Sequence, residues 1–178
     1  MGALIIPPDG KVDVYTKQRL GAFSDSARVD GVVPPAEAST FHPGDHDPLV
    51  RFGGNTAAVA VCADVGRPSH PEAAAKRGAK TYLASMFVIP SEFDRETTNL
   101  AAYAARHSMA VVFANYGGPS GGLASAGRSA IWSEKGERLI QLDASGAGVA
   151  VASESDAGWR AKAIMHRGLR PRKASRTP

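Results

Sequence analysis

The run Ala57-Ala58-Val59-Ala60-Val61 constrains the fold most, because it is apolar on both faces of any strand it forms. A strand with one solvated face alternates apolar and polar residues, so a run without alternation belongs inside a sheet covered on both sides. Ala110–Asn115 has the same character, and Thr81–Ser85 reads as a further strand between the two. The intervening segments carry helix signals. Ser69–Gly78 has Ser69 as a cap, Pro71 in the first turn, Glu72 early, Lys76 and Arg77 late, and Gly78 as the stop. Ser91–His107 has Ser91 as a cap and Glu92, Asp94 and Glu96 early, with Arg106 and His107 late. Its buried stripe is expected to contain Leu100, Tyr103 and Ala104, with Phe93 and Thr97 beside them.

Hairpins flank this centre. Gly2–Ile6 is a strand, Pro7-Pro8-Asp9-Gly10 a turn, and Lys11–Tyr15 the return, with Val12 and Val14 on the face opposite Lys11, Asp13 and Tyr15. Leu49–Phe52, the Gly53-Gly54-Asn55 turn and Thr56–Cys62 form a second hairpin. Ala130–Ser133, Arg138–Leu142 and Gly148–Ala152 read as an antiparallel meander. The alternation of strand and helix followed by a meander predicts a layered α/β fold with mixed β-sheets. Residues 21–48 are rich in Gly, Pro, Ser and Asp without a period, and a loop of that length tends to line a site.

Charge divides the chain unevenly. Of 21 Lys and Arg residues, seven lie from Arg160 onward, where there is no Asp or Glu; the 14 that remain face 17 acidic residues, so residues 1–159 carry −3. The overall charge of +4 therefore belongs to the end of the chain and gives no reason to expect nucleic-acid binding. Residues 1–158 are expected to form the folded domain and 159–178 a basic, disordered tail. No apolar run nears the roughly 18 residues that cross a bilayer, so no membrane partner is expected. Met1–Ile6 meets Pro7 without a leader pattern, and the single cysteine, Cys62, excludes an internal disulfide framework. Both features predict the cytoplasm.

Cys62 ends an apolar strand just before a helix, where open α/β sheets place their sites. As a nucleophile it needs a nearby cation, since a free thiol has a pKa of about 8.5. Lys17 follows the first hairpin, and a buried lysine needs a carboxylate, for which Glu37 in the long loop is available; taken alone, both read as surface residues and Cys62 as a small core residue. A competing pattern is Gly118-Pro119-Ser120-Gly121-Gly122, a Gly-x-Ser-x-Gly match followed in chain order by Asp143 or Asp156 and His166. A nucleophile elbow must enter a helix at once, whereas this segment leads into a strand. His42, Asp45, His46 and Asp47 are interleaved with Pro43 and Gly44, a surface-loop pattern rather than a metal site. No metal or other cofactor is expected. His70 is placed on the surface at the helix start, with a pocket role open through its nearness to Cys62, and Trp132 and Trp159 are placed in packing. Met86, Phe87, Val88 and Ile89 suit either a pocket wall or the core.

Several segments resemble, in order, the motifs of the nitrilase or carbon–nitrogen hydrolase superfamily. Tyr15-Thr16-Lys17-Gln18-Arg19-Leu20 resembles its lysine motif. The stretch from Glu37 through Phe41 to Pro43-Gly44-Asp45 resembles its glutamate loop. Ala60-Val61-Cys62-Ala63-Asp64, with Pro71-Glu72 and Arg77-Gly78-Ala79, resembles its cysteine segment, although an aromatic residue usually stands where Ala63 does and the stretch before Pro71 is longer here. Val112–Asn115, Gly127–Ile131 and Gly136-Glu137 resemble its later strands. The resemblance spans residues 2–152 and implies an αββα four-layer sandwich with a Glu-Lys-Cys site. Cys62 would attack a carbonyl or nitrile carbon, with amides favoured over nitriles. Lys17 and the backbone N–H of Ala63 would stabilise the oxyanion, and Glu37 would position the lysine and the substrate amine. It also implies a homodimer or higher homo-oligomer. The family's general-base glutamate lies on a segment before the lysine hairpin, and this sequence opens inside the preceding strand, so the fold is expected to be truncated at its N-terminus. A misplaced start, a broken gene or a divergent protein with another base would each account for this; the intact later motifs favour the first. The alternative is a non-catalytic remnant or binding subunit.

Overall fold

A computed structural model describes residues 1–165 of the chain. Its centre is a six-stranded mixed sheet in the order β3 (Val50–Phe52), β4 (Asn55–Val61), β5 (Thr81–Met86), β6 (Ala110–Asn115), β7 (Ala130–Trp132) and β8 (Arg138–Gln141). β4, β5 and β6 run parallel; β3, β7 and β8 are antiparallel to their neighbours. The parallel pairs are joined by α1 (Ser69–Lys76) and α2 (Phe93–His107), as the all-apolar strands require. Ala57 to Ala60 of β4 are all buried, which accords with a strand covered on both faces.

The core lies between the sheet and the two helices. Ala58 and Ala60 of β4, Tyr82 and Ala84 of β5, and Val111 and Phe113 of β6 face Ala74 of α1 and Leu100, Tyr103 and Ala104 of α2. Small residues on β4 let the helices approach, while Phe113 fills the space between Phe93 and Trp132. α2 begins at Phe93 after a 3₁₀ turn over Pro90–Glu92, so Ser91 is not its cap; Pro90 sets the turn. Ser69 is likewise the first residue of α1 rather than its cap.

Two small sheets complete the described residues. β1 (Gly2–Ile5) pairs with β2 (Asp13–Thr16) and packs against β4. Tyr15 is fully buried while Val12 and Val14 are exposed, as the alternation predicts. β9 (Gly148–Ser155) pairs with β10 (Gly158–Met165), and this hairpin packs against β8. Two sequence expectations change here. Gly148–Ala152 does not extend the meander, because β9 takes β10 rather than β8 as its partner. Residues from Trp159 to Met165, assigned to a disordered tail on their charge, are strand. Asp156-Ala157 forms a two-residue turn, Gly158 takes a φ of 94°, and Trp159 Nε1 donates a hydrogen bond to Glu134 at 2.9 Å. The rest of the expected tail, and His166, lie outside the described residues.

Two helices, a six-stranded mixed sheet and two two-stranded sheets give the described residues a layered mixed α/β fold of the αββα type. Leu100→Ala, at a fully buried position of α2, is expected to cost about 2–5 kcal/mol of stability in chemical denaturation. A cost below about 1 kcal/mol would mean that α2 does not anchor the core.

Candidate active site

β4 delivers Cys62 to the carboxyl edge of the sheet, and the chain turns there into a 3₁₀ turn over Cys62–Asp64. Cys62 has a φ of 52°, in the left-handed region that a side chain with a Cβ rarely adopts. Such strain costs of order 1–3 kcal/mol and persists only where surrounding contacts enforce it. Those contacts come from Asp64, whose side chain is fully buried. Its Oδ2 accepts the Val61 N–H at 3.1 Å and the Tyr15 hydroxyl at 2.8 Å. Its Oδ1 accepts the backbone N–H groups of Gln18 at 3.1 Å and Arg19 at 2.7 Å. One carboxylate thus joins the cysteine turn to the segment that carries Lys17.

Lys17 is 2% exposed, and its Nζ donates to both oxygens of Glu37, at 2.8 and 2.7 Å. Glu37 Oε2 also accepts the Gly21 N–H at 2.6 Å. The glutamate sits on a 3₁₀ turn over Glu37–Ser39, so the long loop acquires local order where it supplies a side chain. Gly44 N–H donates to the Lys17 carbonyl at 2.8 Å, and a Cβ at Gly44 would come within 2.3 Å of Thr16; only glycine lets this loop lie against the lysine strand.

Burial pushes the Cys62 thiol up from its ordinary pKa. The Lys17 ammonium opposes that effect, the Glu37 carboxylate adds to it, and the backbone N–H groups of Ala63 and Phe87 favour the thiolate. Desolvation is the largest of these effects, and the Glu37 carboxylate acts in the same direction. Cys62, Ala63 and Glu37 line a cavity of about 380 Å³, with Gly21, Phe23, Met86, Phe87 and Val88 among its other walls. The lining also includes Glu92 of the 3₁₀ turn and Arg95 and Glu96 from the start of α2. Glu96 Oε1 accepts from Arg95 at 2.9 and 3.1 Å, while its buried Oε2 has no hydrogen-bond partner among the described residues.

The residues that the motif resemblance singled out, Lys17, Glu37, Cys62 and Ala63, therefore converge. Of the apolar segment, Met86, Phe87 and Val88 line the cavity, and Ile89 packs in a small cluster with Ala27 and Leu123. Asn115 holds that wall: its Oδ1 accepts the Val88 N–H at 2.9 Å, and its Nδ2 donates to the Gly127 carbonyl at 2.8 Å. Sequence reasoning gave Asp64 and Asn115 no role beyond their motifs and read Glu96 as a helix-dipole residue. The sole signal for Asp64 was its place two residues after the cysteine. His70 is corrected from the surface to the interior, at 6% exposure, because α1 turns it toward Tyr15 and Tyr82.

The other patterns go elsewhere. Ser120 is exposed in a tight turn bridged to Leu123, with no helix following. His46 Nε2 meets Asp13 at 2.8 Å, and Asp47 pairs with Arg77 at 2.6 Å. Among the described residues no three His, Cys, Asp or Glu side chains are grouped as for a metal ion. No helix among them is long and apolar enough to cross a membrane.

Solved structures of an amidase from Nesterenkonia sp. AN1, of the nitrilase superfamily, are similar to this chain. One after removal of its His-tag has 29% identity and a TM-score of 0.68, covering 81% of this chain and 52% of its own. A cysteine-to-alanine variant in complex with butyramide has 27% identity and a TM-score of 0.67, covering 81% and 51%. A glutamate-to-glutamine variant, carrying the acetamide moiety of fluoroacetamide on its active-site cysteine, has 30% identity and a TM-score of 0.65, covering 76% and 48%. The chain thus spans about half the length of these amidases. No curated protein matches it. The model of the carbon–nitrogen hydrolases matches residues 1–161, and the chain belongs to that family.

Proposed function

We propose that this chain carries the nucleophile, the cation and the positioning glutamate of a hydrolase that cleaves non-peptide carbon–nitrogen bonds, with small amides as substrates. The observation that carries this reading is the placing of Cys62, with its left-handed backbone, on a cavity wall beside Glu37, which holds the buried Lys17. The Cys62 thiolate attacks the amide carbonyl carbon. The tetrahedral oxyanion is stabilised by the Lys17 ammonium and the Ala63 N–H, fixed donors that need no reorganisation. The thiol proton passes to solvent when the thiolate forms; the carbon–nitrogen bond then breaks, ammonia or an amine leaves with a proton returned from solvent, and a thioester remains. Water adds to the thioester, releasing the carboxylic acid and restoring the thiol. Glu37 fixes Lys17 by two hydrogen bonds, which sets where the ammonium points. Amide rather than nitrile is favoured by the solved relative with butyramide bound.

The raised thiol pKa supports slow turnover by this chain near neutral pH, since the nucleophile is held as the thiol. We also read the chain as a cytoplasmic homodimer or higher homo-oligomer. Its lone cysteine suits a reducing compartment, and Leu4, Val14, Val149 and Ile164 leave apolar area exposed on the outer sheets.

Ammonia release from butyramide is expected to be slow at neutral pH, to rise with pH through the ordinary cysteine range of about 8.5 and beyond, and to vanish in Cys62→Ala. Release that persists in that variant sinks the reading; release by neither form favours a non-catalytic binding subunit. Because Cys62 is the one cysteine, its alkylation can be followed by intact mass. Lys17→Met should shift the alkylation profile to higher pH, slowing it about tenfold near pH 8; an unshifted profile removes Lys17 from the site. Sedimentation should give at least twice the chain mass, and a monomer at micromolar concentration would refute the assembly.

A further inference from the structure

His70 is buried near the site but has no part in the chemistry above. Its Nε2 lies 3.0 Å from the Tyr15 hydroxyl, and its Nδ1 lies 2.9 Å from the Tyr82 hydroxyl. Tyr15 and Tyr82 are both fully buried, so neither can turn to water. The direction of each bond follows from Asp64. Its carboxylate already accepts three backbone N–H groups and acts as an acceptor, so the single Tyr15 proton points to Oδ2. The Tyr15 oxygen must then accept from His70, which places a proton on Nε2. A neutral imidazole has no second proton, so Nδ1 accepts from the Tyr82 hydroxyl. The opposite tautomer would set the Nε2 lone pair against the Tyr15 oxygen. The doubly protonated ring would drive the Tyr82 proton away from its acceptor into the core.

We propose that His70, held as the neutral Nε2–H tautomer, is a positioning residue for the Cys62 site, acting through Tyr15 on Asp64. The chain of hydrogen bonds runs Tyr82 to His70 to Tyr15 to Asp64, from β5 through α1 and β2 to the cysteine turn. Its last member holds both the left-handed turn at Cys62 and the backbone after Lys17. Loss of the His70 donor leaves the Tyr15 oxygen without its buried partner and frees the ring to move, and Asp64 moves with it. The charged groups facing the imidazole are Asp47 and Asp64, which favour its cation, and Arg77 and Arg67, which oppose it. Burial outweighs the carboxylates and lowers the His70 pKa below its ordinary value. A histidine shifted in this direction contributes stability that is present above the unfolded value of about 6.5 and is lost as pH falls through the folded value. This role rests on Cys62 being the nucleophile; the tautomer itself does not.

The test uses the whole chain. Long-range proton–nitrogen NMR with labelled histidine should show His70 protonated on Nε2 and bare on Nδ1 at about pH 8 and still at about pH 6.5. A proton on Nδ1 in this range overturns the proposal. Iodoacetamide labelling of Cys62 at about pH 8 should slow about tenfold in His70→Phe, the equivalent of ~1.4 kcal/mol and in the range for one lost buried partner. His70→Gln, which keeps a donor and an acceptor, should recover most of the rate. Equal rates in the unaltered chain and a His70→Phe chain of unchanged circular dichroism also overturn it. If His70→Phe does not fold, the spectrum of the unaltered chain and the Gln variant decide. Amide hydrolysis that survives Cys62→Ala defeats the reading of Cys62 as the nucleophile instead, a result distinct from either failure here.

Discussion

The buried carboxylate of Asp64 is the contact on which the rest of the site depends. It receives four hydrogen bonds, two from the chain after Lys17, one from the residue before Cys62 and one from Tyr15. A buried carboxylate is costly unless its lone pairs are satisfied, and here the groups that satisfy it come from segments some 45 residues apart in the chain. Folding cannot satisfy Asp64 without also bringing the lysine and cysteine segments together. The strain at Cys62 persists for the same reason, because relaxing that backbone would pull the Val61 N–H from its acceptor.

Two opposing electrostatic effects meet at Cys62. Burial favours the thiol, and Lys17 favours the thiolate. A lone buried ammonium would favour the thiolate more strongly, but it would be unstable without a counter-charge. Glu37 supplies that charge and, in doing so, weakens the field at the sulfur. The arrangement holds a lysine in a fixed direction at the cost of a less acidic cysteine. In the proposed reaction this arrangement suits stabilisation of negative charge that develops on a substrate oxygen better than standing ionisation of the sulfur.

Much of the architecture was legible in the residues. Ala57–Val61 and Ala110–Asn115 announced central strands by their lack of alternation, and the helices between them followed from their charged ends and stop signals. The hairpin before Lys17 was legible from Asp9-Gly10 and the alternation around Val12 and Val14. The β9–β10 hairpin was not, because the basic residues after Trp159 looked like a solvated end. Those charges project from exposed strand positions, while the ladder to β9 uses only the backbone, which carries no mark in the sequence.

The sequence by itself determined the layered α/β class and the central place of β4, because apolar periodicity is a local property of the chain, and it offered the candidate set of Lys17, Glu37 and Cys62 through motifs that resemble those of the carbon–nitrogen hydrolases. Only the tertiary structure decided that Asp64 holds the site together, that His70 lies inside with both ring nitrogens engaged, and that the thiol is raised rather than lowered. Each of these depends on burial and on partners distant in the chain. Desolvation and hydrogen-bond direction arise from which groups meet after folding, and no single residue type specifies them in advance.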